Sequence, residues 1–126
     1  MKALFIEGKE DTPQINFDPE KGVFELTGRS LPEDTLSFYG PVYEWLEEYI
    51  QQANDETNLK LKIDYFNSAS HKAVNEILQI FSKLPEKGKN VTVFWHYLDE
   101  DEDMHESGID FQDLTGLSFV FKSYSL

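Results

Sequence analysis

The chain contains no cysteine, so disulfides, thiolate metal sites and cysteine nucleophiles are excluded at the outset. It contains no apolar run near the roughly 18 residues of a membrane-spanning helix. Its opening, MKALFIEGKED, offers four apolar residues before charge returns, too few for a secretory signal. Positive charge is scarce. Eleven basic residues stand against 24 acidic ones, a formal net charge of −13, which disfavours a nucleic acid or an anionic membrane as partner. The same balance favours solubility and a locally basic protein surface as partner. Internal repeats and linkers are missing too, so residues 1–126 are expected to form one domain of a soluble, cytoplasmic protein.

What is present argues for a packed globule. About 40% of the residues are hydrophobic, and aromatic residues make up 14%. Residues 3–7 and 14–18 read as short strands around the turn-prone Asp11-Thr12-Pro13. Residues 23–29 form a clearer strand, and the turn chemistry of DPEKG, residues 18–22, predicts a hairpin between the second and third strands.

A helix is expected within residues 33–53, its apolar face carrying Phe38, Val42, Trp45, Leu46, Tyr49 and Ile50. Gly40-Pro41 interrupts this run and places the regular start of the helix near Pro41. Leu59, Leu61, Ile63 and Tyr65 alternate with polar residues as one face of a strand. From Ala73 the period becomes helical and stops at Pro85 and Gly88. Residues 91–98 carry apolar bulk on both faces, the mark of an interior strand. The acidic run at 99–103 reads as solvated loop, Ile109, Phe111 and Leu114 as a short helix, and 117–124 as a last strand. The order β-β-β-α-β-α-β-α-β predicts an α/β fold, a mixed sheet of about six strands with about three packed helices.

One junction stands out. In YFNSASHK, residues 65–72, small polar residues sit between a strand and a helix. The first turn of a helix leaves backbone N–H groups without partners and carries partial positive charge. Asn67, Ser68 or Ser70 can serve there as a cap, worth about 1 kcal/mol. A phosphate on Ser68 would meet the same free donors and dipole, and would confront a docked partner with charge needing desolvation.

The whole chain resembles the SiaC family of bacterial regulatory phosphoproteins, related in fold to STAS anti-sigma-factor antagonists. The resemblance is carried by LFIEGKEDTPQINFDPEKGVFELTGRSLPE, FYGPVYEWLEEYI, YFNSAS and the acidic DEDEDM. It implies a non-enzymatic STAS-like domain without cofactor, acting in a partner switch. A serine/threonine kinase phosphorylates a hydroxyl in the strand-to-helix loop, and a metal-dependent, PP2C-like phosphatase removes the phosphate. The unphosphorylated form then engages an effector, for some relatives a diguanylate cyclase linked to cyclic-di-GMP and biofilm behaviour. By position the acceptor is Ser68, where relatives often carry Thr, with Ser70 as runner-up. Asn67 departs from the Asp-Ser common in STAS antagonists. The implied partner-binding surface comprises Asn67, Ser68, Ser70, His71, Lys72, Asn75, Glu76 and Gln79.

Other chemistries fit less well. Ser68 with His71 lacks a G-x-S-x-G elbow, a third member and an oxyanion hole, so serine hydrolysis is disfavoured. Asp99, Asp101, Asp103 and Asp110 match four ligand positions of a calcium loop, and an acidic calcium-binding module is the alternative function. Yet Met104 replaces the required Gly, and Asp replaces the bidentate Glu. His96 and His105 have no recognisable metal-ligand spacing.

Overall fold

Why one face of this chain's sheet is dry and the other wet follows from its connections. The computed structural model describes residues 1–126. Its strands are β1 (Leu4–Ile6), β2 (Gln14–Asp18), β3 (Val23–Ser30), β4 (Glu56–Phe66), β5 (Asn90–Leu98) and β6 (Ser118–Tyr124). They lie in the spatial order β1-β2-β3-β4-β5-β6. The first three pair antiparallel, including the expected β2–β3 hairpin, and β3 through β6 pair in parallel.

Each parallel connection is a helical crossover: α1 (Thr35–Gln51), α2 (Ser68–Phe81) and α3 (Glu102–Thr115). Because strand order follows chain order and crossovers are right-handed, all three helices fall on the same face. That face holds Phe17, Leu26, Leu61, Val93 and Trp95, buried against Tyr39, Leu46 and Tyr49 of α1, Val74, Ile77 and Phe81 of α2, and Phe111 of α3. The sequence's alternating strands and 3.6-period helices therefore meet in one core of 25 buried hydrophobic residues, and the mixed sheet of six strands is the one expected.

Four local expectations are corrected. Helix α1 does not wait for Pro41 but starts at Thr35, where Asp34 caps it by accepting from Ser37 N–H at 3.1 Å. Pro41 is carried inside the helix on its exposed side. The residue before a proline is normally pushed away from helical geometry by a clash with its Cβ, and Gly40 has none. Helix α2 begins five residues before Ala73, at Ser68.

Helix α3 is longer than expected, and the acidic run is not all loop. Asp101 caps α3, and Glu102 and Asp103 form its first turn, where the macrodipole favours them. Its inward residues are Met104, Gly108 and Phe111, while Leu114 is 63% exposed and Ile109 faces out. Lastly, Tyr65 does not continue the buried face of Leu59, Leu61 and Ile63. The β3–β4 register slips by one residue where Gly28 pairs with Ile63 and Arg29 with Tyr65, and this irregularity turns Tyr65 outward.

Candidate functional site

The β4–α2 junction is pinned from below. Asn67 N–H donates to the Ser30 carbonyl at 3.2 Å, and Asn67 Oδ1 accepts from Ser70 N–H at 2.8 Å. Asn67 is thus the cap of α2, and Ser68 is the first residue inside the helix. The Ser70 hydroxyl points the other way. It accepts from Ser30 Oγ at 2.8 Å, and Ser30 Oγ lies 2.6 Å from the Tyr39 hydroxyl.

This buried chain of hydroxyls ties β3, α1 and α2 together. Desolvation pushes the Tyr39 phenol up to about 12, so it stays protonated as part of the chain at any physiological pH. Each buried hydroxyl has a partner, which is the condition for such groups to be tolerated in a core.

The three small polar residues therefore divide their roles. Asn67 caps, Ser70 anchors, and Ser68 is left exposed with no structural duty. The Ser68 and Ala69 amides lie in the first turn, where no intrahelical acceptor exists. A shallow cleft of about 320 Å³ lies beside Ser68, lined by Phe66, Asn67, Ser68, His71 and Lys72.

The expected partner-binding set splits in the same way. Ser68, Lys72 and Glu76 recur at four-residue spacing and are exposed, so they form one line along α2. Ser70 is fully buried, which corrects its place as runner-up acceptor and as a surface contact: its hydroxyl is enclosed and hydrogen-bonded. His71 is half-buried, its ring 5.2 Å from Phe66 and 4.6 Å from Phe111. Asn75 and Gln79 are half-buried as well, and Asn75 Oδ1 is buried without a hydrogen-bond partner. These three line the seam beside the exposed row. Glu76 stands near Tyr43 and, after burial, adds to the upward pressure on that phenol.

Sequence reasoning missed Arg29 and Tyr65. The Arg29 guanidinium lies 5.5 Å from the centroid of the exposed Tyr65 ring, at the end of the strands that lead into the junction. The only signal for this was Gly28, whose φ of +112° accompanies the register slip.

The acidic and histidine alternatives are not assembled. Asp101 is engaged as a cap, accepting from Met104 N–H at 3.0 Å, and no three His, Asp or Glu side chains converge as a metal would require. His105 stacks on Tyr97 with ring centroids 4.4 Å apart, whereas His96 alternates onto the opposite face of β5. No hydrogen bond joins His71 to Ser68, and the His71 ring is held between two phenylalanines.

Fold and junction define a class: a small α/β domain with all helices on one face of a mixed sheet and an exposed hydroxyl opening its second helix. Residues 6–124 match the model of the SiaC family regulatory phosphoproteins, and the chain belongs to that family. It is 28% identical, over 98% of both chains, to an uncharacterized protein of Pseudomonas aeruginosa strain UCBPP-PA14. Its fold is similar to that of apo-SiaC from Pseudomonas aeruginosa, with a TM-score of 0.88 at 28% identity over 98% of this chain and 100% of the other. It is equally similar to a chain in the crystal structure of the diguanylate cyclase SiaD with its activator SiaC, from the same organism. There the TM-score is 0.87 at 28% identity, over 96% and 99% of the two chains.

Proposed function

We propose that this chain is a non-enzymatic, cytoplasmic switch protein that binds a diguanylate cyclase and is controlled by phosphorylation of Ser68. A serine/threonine kinase adds the phosphate and a PP2C-like phosphatase removes it. The observation that carries this reading is the division of labour at the junction. Ser68 is exposed at the first position of a helix whose cap is Asn67 and whose anchor is Ser70.

A hydroxyl in that place can be modified without removing a structural hydrogen bond. The added group would bring about −1.5 to −2 charges to free N–H donors, with Lys72 one helical turn away. A partner docked on Ser68, Lys72 and Glu76 would then have to desolvate that charge, at a cost of several kcal/mol. About 5.5 kcal/mol suffices to invert a 99:1 equilibrium. Family membership and the cyclase complex of the similar SiaC chain support the same assignment.

The test is a titration against the diguanylate cyclase encoded nearest to this chain's gene. Ser68→Ala is expected to bind like the unmodified parent and to resist the kinase, whereas Ser68→Asp binds weakly. Intact mass after co-expression with the neighbouring kinase should rise by one phosphate mapped to Ser68. Equal binding by both variants would leave Ser68 as an idle surface residue and sink the proposal.

A further inference from the structure

The sheet face opposite the helices carries charge of the sign that the chain as a whole lacks. Lys62 of β4, His96 of β5 and Lys122 of β6 occupy one cross-strand row, and Lys60 lies two residues before Lys62 on the same face. None of these lysines takes part in an ion pair. The molecule's two ion pairs, Lys83–Glu47 and Lys89–Asp55, use other residues.

Their aliphatic stems instead carry the ammonium groups over aromatic rings. Lys62 Nζ lies 4.6 Å from the Tyr124 centroid, and Lys122 Nζ 5.9 Å from that of Phe94. Burial, and then repulsion by Lys60, Lys122 and Lys62, lowers the pKa of His96. The carboxylates on this part of the face are Glu25, paired in register with Lys60, and Asp64, 3.5 Å from the Tyr124 hydroxyl.

Between these groups runs a groove of about 400 Å³. Its lining combines the apolar Val23 and Phe94 with Lys60, His96 and Lys122, and with one carboxylate, Glu25, at the β3 side. Val120, beside Phe94 in the register, leaves 40% of its surface exposed. An apolar floor with three basic side chains against one carboxylate suits a segment that bears both carboxylates and an apolar side chain. On a chain of net charge −13, an acidic partner is repelled almost everywhere else, so this face also fixes its orientation.

We propose that the bare sheet face binds an acidic segment of a partner protein. Its carboxylates meet Lys60, Lys62 and Lys122, and an apolar side chain lies against Val23 and Phe94. This site is on the opposite layer from α2, so it can be filled while the Ser68 row is free, and it does not rest on the switch.

The probe is a short fluorescein-labelled peptide of alternating Glu and Phe, followed by anisotropy, with a Gln and Phe peptide as control. The Glu peptide should bind saturably and weaken steeply with added salt. Combined Lys60→Glu, Lys62→Glu and Lys122→Glu should weaken it by about tenfold or more, and the milder triple change to Gln by less, both variants keeping a cooperative thermal melt. Ser68→Asp should leave it unaltered, which separates this site from the switch. Failure to bind, equal binding of the Gln peptide, or indifference to the lysine changes would each overturn the proposal. So would concentration-dependent self-association of the chain that the triple variant abolishes, since the occupant would then be a second copy. Displacement of the peptide by inorganic phosphate at matched charge would overturn it in favour of a small-anion site.

Discussion

At the start of α3 the capping carboxylate of Asp101 is followed by Glu102 and Asp103. At the start of α2 the neutral amide of Asn67 is followed by Ser68, Ala69 and Ser70. Both ends make the same cap hydrogen bond to the third residue in, at 2.8 Å for α2 and 3.0 Å for α3. They differ in charge. Helix α1 sides with α3: its cap is Asp34, whose carboxyl is held below the usual range by the Ser37 N–H and then the Ser37 hydroxyl. Helix dipoles favour negative charge at every N-terminus. Two of the three α-helices carry that charge permanently, and α2 opens with a neutral amide and hydroxyls. A reversible charge changes a surface most where no permanent one stands, and this is the physical reason to look for the switch at α2.

The two ends are also seated differently, which gives the largest expected effect. The first turn of α2 is tied down by a buried chain of hydroxyls, Ser70 to Ser30 to Tyr39, whereas α3 meets the sheet in one close approach to Trp95. Trp95 Nε1 donates to the Met104 carbonyl at 3.0 Å, and a Cβ added at Gly108 would come within 2.5 to 2.8 Å of the indole. Gly108→Ala should therefore destabilise the protein by about 1–3 kcal/mol or more in urea unfolding, because a fused ring in a dense core cannot move aside. The folded fraction should still show the proposed Ser68-dependent binding at α2. A neutral result would mean that α3 does not sit on Trp95 as described.

This contrast also marks what a reader of the sequence can see. Element types and the helix-covered mixed sheet are legible, because Leu59, Leu61 and Ile63 keep period 2 while Val74, Ile77, Leu78 and Phe81 keep the helical period. Features set by partners distant in sequence are not legible. The outward turn of Tyr65 depends on a register slip against β3, and the burial of Ser70 depends on Ser30, forty residues earlier. Three small polar residues within four positions, Asn67, Ser68 and Ser70, look interchangeable as caps. Only the fold separates the cap, the anchor and the exposed hydroxyl. The extent of α3 was hidden because five consecutive acidic residues read as solvated loop, although acids suit a helix's first turn.

A smaller effect checks that the two caps are equivalent. Asn67→Ala removes the acceptor for Ser70 N–H, and Asp101→Ala removes that for Met104 N–H. Each should cost about 1 kcal/mol in chemical denaturation. If Asn67→Ala costs nothing, α2 starts elsewhere and Ser68 loses its place as the first helical residue. If Asp101→Ala costs far more, its carboxylate contributes beyond a cap.

The smallest effect addresses the difference in charge itself. Ser68→Asp adds a carboxylate to the first turn of α2 and should stabilise the protein by about 0.3–1 kcal/mol at low ionic strength. Asp103→Asn removes one from the first turn of α3 and should cost a similar amount. In about 1 M salt the screening length falls to roughly 3 Å, and both changes should shrink toward zero. The pair is measured by urea unfolding at low and high salt. A loss of stability from Ser68→Asp would mean that α2 does not welcome negative charge, and the argument that the fold tolerates a phosphate there would fail. A small gain carries a further consequence. On the proposed switch, a phosphate that the fold tolerates would act chiefly at the interface, where its charge would have to be desolvated on docking at several kcal/mol.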